Sequence, residues 1–103
     1  MDLKNMMKQV QDIQGRINSM QGKLAEKTVE TSSGGGMVTV TANGKQEIIS
    51  INISPEIIDP SDISMLQDLI TAAVNTALKS SKDMMQEELS KITGGIKIPG
   101  LNL

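Results

Sequence analysis

The sequence predicts an α+β domain with the element order α-β-β-β-α. Three observations predict it. Apolar residues recur at heptad spacing over the first 24 residues. Alternating, β-branched segments follow, separated by a triglycine and by Asn43-Gly44. A long helical pattern then opens at Asp59-Pro60 and closes at Gly94-Gly95. At 103 residues the chain has the length of one domain. Residues 1–95 are read as that domain, and residues 96–103 as a short apolar tail, loosely held.

The first helix rests on Leu3, Met6, Val10, Ile13, Ile17, Met20 and Leu24, spaced 3, 4, 3, 4, 3 and 4 residues apart. This is an a/d seam suited to packing on another helix. Asp2 is its N-cap. Gly15 and Gly22 fall on its outer face and weaken it by about 1 kcal/mol each. The seam ends where Lys27 takes the next d position.

Thr28-Val29-Glu30-Thr31 reads as a short strand, ahead of Ser32-Ser33-Gly34-Gly35-Gly36. Met37 to Ala42 alternates and reads as a second strand. Asn43-Gly44 is a strong hairpin signal. The returning strand runs from Gln46 to Ile53, with Ile49, Ile51 and Ile53 on one face. A two-residue turn would pair Val38 with Ile49, as one buried face requires. It would also pair Val40 with Glu47, which fits only at the sheet's open end, and a bulge would change the register. Pro55 ends the strand.

Asp59 is the predicted N-cap of the second helix, with Pro60 at its first position and Asp62 in its first turn. The helical pattern extends from Ile63 to Ile92. Leu66, Ile70, Ala73 and Ala77 form one stripe, and Leu78, Met85 and Ile92 another. The two fall out of phase across Ser80-Ser81-Lys82-Asp83, which predicts a bend or a change of packing partner. A helix of this length is about 45 Å long and overhangs a compact body. The seam and the overhang both point to a homodimer.

Composition narrows the function. The chain has no His, Cys, Phe, Trp or Tyr. It therefore has no cysteine zinc site, no thiol nucleophile, no histidine base and no aromatic platform for stacking bases. No hydrolase triad is available, and no SxxK spacing supports a Ser–Lys alternative. The reading is of a non-enzyme without metal or cofactor. No stretch approaches the roughly 20 apolar residues of a membrane span, and Met1 to Val10 is too interrupted for a signal peptide. This predicts a cytoplasmic protein that avoids membranes.

The remaining motifs read mostly as structure. Gly34-Gly35-Gly36 lacks the spacing of a phosphate-binding loop and is a turn. Asp59 and Asp62 bracket a helix start, and Glu87-Glu88 are solvated. Met6, Met7, Met20, Met37, Met65, Met84 and Met85 fill core and interface in a chain without aromatics. Basic residues are the last candidates. Lys4, Lys8, Arg16, Lys23 and Lys27 lie on the first helix against Asp2, Asp12 and Glu26, and Lys79, Lys82 and Lys91 lie on the second. The net charge is only −2, and there is little Arg to read guanine edges. On their own these lysines read as ordinary solvated helix faces; a protein that touched DNA through them would hold phosphates rather than select bases.

Gly34-Gly35-Gly36-Met37-Val38-Thr39-Val40, Asn43-Gly44-Lys45, Ile57-Ile58-Asp59-Pro60-Ser61-Asp62 with Leu66 and Asp68-Leu69-Ile70, and Leu89-Ser90-Lys91-Ile92-Thr93-Gly94-Gly95 with Ile98-Pro99-Gly100 together resemble the YbaB/EbfC family. The likeness runs over essentially the whole chain, in order. It implies a small bacterial nucleoid-associated protein, a tweezer-like homodimer that binds duplex DNA on the nucleoid, with roles in nucleoid organisation and gene regulation. The family has no sharp base-reading motif to carry over. The DNA contacts assigned by charge placement are Lys4, Lys8, Arg16, Lys23, Lys79, Lys82 and Lys91. The rival reading is an adaptor for DNA-repair or replication proteins, without strong DNA binding of its own. It rests on the acidic balance, the Met-rich helices and the apolar tail.

Overall fold

The computed structural model describes residues 2–93, so the tail 96–103 lies outside the described residues. The order is helix α1 (Leu3–Glu26), strands β1 (Thr28–Ser33), β2 (Val38–Asn43) and β3 (Ile48–Ile53), a single 3-10 turn at Pro55–Ile57, and helix α2 (Ile63–Thr93). Asp2 caps α1, its carboxylate accepting from the Lys4 N–H at 3.3 Å.

The sheet is antiparallel in the order β1-β2-β3. Val38, Val40 and Ala42 of β2 are fully buried under Ala73 and Ala77 of α2. Small alanines let the helix lie close to the pleat, and this patch is the core. Val29, Thr31 and Ser33 stand opposite Ala42, Val40 and Val38, so they share that face. The Thr31 hydroxyl donates to the Ala73 carbonyl at 2.9 Å, and the Ser33 hydroxyl to the Leu69 carbonyl at 2.6 Å. These bonds carry β1 through Ser33, two residues beyond the predicted end. Gly34, Gly35 and Gly36 all have positive φ, between 62° and 89°, the backbone that a turn there requires.

The hairpin register differs from that of a two-residue turn. Val38 faces Ile53 and Val40 faces Ile51, and a bulge at Thr41/Ala42 brings Ala42 opposite Ile48. Asn43 belongs to β2, and the chain reverses beyond it, with Gln46 the left-handed residue at φ 63°. The buried Asn43 amide organises the turn. Its oxygen accepts from the N–H groups of Lys45 (2.9 Å) and Glu47 (3.1 Å), and its nitrogen donates to the Glu47 carboxylate at 2.9 Å. Val40 thereby meets an isoleucine instead of Glu47.

Gly44 serves the fold by its lack of a side chain. Its N–H donates to the carbonyls of Leu24 (2.8 Å) and Lys27 (3.1 Å) at the end of α1. A Cβ there would stand 2.6 Å from Leu24 Cδ2 and 3.0 Å from the Leu24 oxygen.

The face of β3 is the second departure. Ile51 and Ile53 lie on the α2 side of the sheet, but α2 rests over β1 and β2 and scarcely reaches β3. Ile48, Ile49 and Ile51 are exposed.

Asp59 does not cap α2. Its carboxylate accepts from the backbone N–H (2.9 Å) and hydroxyl (2.7 Å) of Ser61, closing a turn ahead of the helix. Asp62 takes the capping role by accepting from the Met65 N–H at 3.2 Å. The helix then runs unbroken to Thr93, and the phase change at Ser80–Asp83 is a change of partner. Before it, Ala73 and Ala77 face the sheet. At it, fully buried Ser81 donates to the Asn43 carbonyl at 2.6 Å and accepts from the Gln46 N–H at 2.8 Å. After it, Glu88 reaches Lys27 at the end of α1.

The molecule measures 69 × 24 × 17 Å with a radius of gyration of 19.0 Å, against about 13 Å for a compact domain of this length. Among the described residues, the predicted seam is closed only at its inner end. Met20 and Leu24 are buried and Ile17 is half-buried, whereas Leu3, Met6, Val10 and Ile13 are exposed.

Candidate nucleic-acid interface

The cations assigned by charge placement fall into three groups. Lys4 and Lys8 lie one turn apart on the projecting half of α1. Arg16 and Lys23 lie two turns apart on the same helix, about a quarter turn further round at 100° per residue. Lys79, Lys82 and Lys91 are on α2. All seven are exposed. Among the described residues, Lys4, Lys8, Arg16, Lys23 and Lys82 have no ion-pair partner. Lys79 lies 3.8 Å from Asp83 across a wet helix face, a contact worth little.

The antiparallel approach of α1 and the end of α2 leaves an open groove of about 760 Å³, lined in part by Asp12, Arg16, Lys23, Glu88, Lys91 and Ile92. The structure therefore brings Arg16, Lys23 and Lys91 together and leaves Lys4, Lys8, Lys79 and Lys82 outside. Glu88 is the groove's fixed anion. One of its oxygens accepts from Lys27 at 2.8 Å and from Lys91 at 3.2 Å. The Lys27 bond, then the Lys91 bond, hold the Glu88 carboxyl below its ordinary pKa, and Glu88 in turn raises that of Lys27. Lys91 is thus partly committed to a structural clamp. Lys27 and Glu88 carry no signal of this in sequence, because 61 residues separate them.

Little else in the molecule suggests chemistry. Among the described residues, no three His, Cys, Asp or Glu side chains converge as metal ligands, and no buried side-chain polar atom lacks a hydrogen-bond partner. No described helix is long and apolar enough to cross a membrane. The arrangement is a sheet-and-helix body presenting cations along a projecting helix, which suits electrostatic attachment to an extended polyanion.

Comparison with known proteins bears on that polyanion. The profile of the YbaB/EbfC DNA-binding family matches residues 1–96. A nucleoid-associated protein of Alkaliphilus metalliredigens is 53% identical over 100 residues, covering 97% of this chain and 88% of the relative. One from Desulforamulus reducens is 55% identical over 100 residues, covering 97% and 95%. An uncharacterized protein from Helicobacter pylori has a similar crystal structure, with a TM-score of 0.84 at 21% identity over 91% of this chain and 99% of that one. That last likeness concerns the fold.

Proposed function

The chain belongs to the YbaB/EbfC DNA-binding family, and from that premise we propose that it works as a homodimer holding duplex DNA by its phosphates. The observation that carries the reading is the row of exposed, unpaired cations on α1, in a protein whose net charge is −2. From Lys4 to Lys23 the row spans about 28 Å at 1.5 Å per residue, about four-fifths of the roughly 34 Å turn of B-form DNA. Lysine-rich contacts of this kind bind with little sequence preference, as a protein organising the nucleoid requires. Binding rather than catalysis is the function proposed, and effects on transcription follow from occupancy.

We put the dimer interface at β3. Ile51 stands on the core side of the sheet, yet among the described residues no helix covers it, and Ile48 and Ile49 beside it are exposed as well. Exposed apolar strands at a sheet edge invite association, and a second copy related by a two-fold axis buries both sets together. Doubling the molecule doubles the α1 cations to eight.

Fluorescence anisotropy with a mixed-sequence duplex, at about 50, 100 and 200 mM salt, tests the reading. Affinity is expected to fall log-linearly with salt, with a slope no steeper than about −7 if all eight cations take part. Changing Lys4, Lys8 and Lys23 together to Glu removes binding while sedimentation still reports a dimer. Absence of binding at the lowest salt, or an unaffected triple variant, overturns the assignment. Ile51→Lys is expected to give monomers, and a dimer that survives it places the interface elsewhere.

A further inference from the structure

The outer half of the α1 seam has no cover among the described residues. Leu3, Met6, Val10 and Ile13 continue the stripe whose inner members, Met20 and Leu24, are buried. Helix α2 runs antiparallel to α1, with Lys27 beside Glu88 and Arg16 in the same groove as Ile92. Its last described turn therefore ends level with the middle of α1, heading toward the α1 N-terminus. The uncovered stripe lies ahead of α2 in that direction.

The chain that follows α2 has matching chemistry. Gly94-Gly95 permits any change of direction. Ile96, Ile98, Leu101 and Leu103 then supply four large aliphatic side chains, and Pro99 disfavours continuing as a helix. Ten residues reach about 33 Å when extended, and the stripe from Leu3 to Ile13 is about 15 Å long. A short tether gives an effective concentration of order millimolar, far above that of a second molecule in dilute solution.

We propose that residues 94–103 dock as an extended segment on the exposed Leu3–Ile13 stripe of α1 in the same chain. The docked segment completes the seam and leaves the opposite face of α1, with Lys4 and Lys8, open. The proposal is independent of what those lysines bind.

The chain has no cysteine, so Asn102→Cys gives one site for a nitroxide in the full-length protein. Docking predicts that amide signals from Leu3 to Ile13 lose most of their intensity and that those of Gly34 to Gly36 keep theirs. Adding Ile98→Asp and Leu101→Asp is expected to restore the lost signals. Three results would overturn the proposal: undiminished α1 signals, attenuation that survives the double aspartate variant, or attenuation only when the nitroxide and the nitrogen-15 label sit on different chains of a mixed sample.

Discussion

Leu24 and Val10 occupy the same heptad position two repeats apart on one helix, but Leu24 is fully buried and Val10 is 61% exposed. The inner end of α1 is joined to the rest of the molecule by directional bonds. Gly44 closes its last carbonyls, Glu88 holds Lys27, and Ser81 ties the same hairpin turn to α2. None of these contacts reaches the outer half. A periodic seam states which face of a helix is apolar; its burial is decided by where the partner element stops.

The sharpest way to break the contrast is to truncate both ends alike. Leu24→Ala is expected to cost about 2–5 kcal/mol, as buried leucines do, and Val10→Ala, made in the Ile98→Asp, Leu101→Asp background that keeps the tail off α1, within about 0.5 kcal/mol. Urea unfolding followed by far-ultraviolet circular dichroism reads both, since there are no aromatic residues to report. Equal costs in that background would show that something other than the tail covers the outer stripe in solution.

Ser81→Ala leaves the buried Asn43 carbonyl and Gln46 N–H short of a partner and is expected to cost about 1–3 kcal/mol. Gly44→Ala forces Leu24 or the turn to shift and falls in a similar range of about 1–3 kcal/mol. Thermal melts check both. A neutral Gly44→Ala would mean that the turn retreats from α1 at little cost.

On the outer face the sign reverses. A methyl group at Gly22 meets nothing within 4 Å, so Gly22→Ala is expected to stabilise the protein by about 0.5–1 kcal/mol.

The smallest effect is a dependence on pH. The folded Glu88 carboxyl has a lowered pKa, so its contribution is present above its unfolded value and is lost as pH falls through the folded one. Lys27 is raised, so its share is complete below its unfolded value and lost as pH climbs through the folded one. Stability attributable to this clamp is therefore level near neutrality. Its acid-side loss disappears in Glu88→Gln, measured by denaturation midpoints at a series of pH values.

These contacts mark how far the sequence could be read. Element order and helix α1 were legible because heptad spacing, β-branched alternation and Asp2 are local signals. Asn43-Gly44 announced the reversal correctly, but the register depended on Asn43 staying in the strand and on a bulge that only tertiary packing selects. Asp59-Pro60 resembled a cap, while the bond to the helix went to Asp62, since Ser61 already engages Asp59. Burial of the β3 isoleucines was misjudged because alternation gives the face of a strand and not the width of the helix above it. Charge placement singled out four α1 cations that have no ion-pair partner among the described residues. It could not separate them from Lys91, whose partner Glu88 is shared with a lysine distant in sequence.

The Gly44 N–H closing the last carbonyls of α1 also bears on the order of synthesis. A helix whose terminus is finished by a later residue is incomplete when it leaves the ribosome. The turn that finishes it is secured only once Ser81 has been made. At about 5–20 residues per second, the nascent α1 waits several seconds with its whole apolar stripe unsheltered. During that interval it is a natural client for chaperones that capture amphipathic helices. Ribosome-bound chains arrested before and after Ser81 should differ sharply in protease resistance across α1.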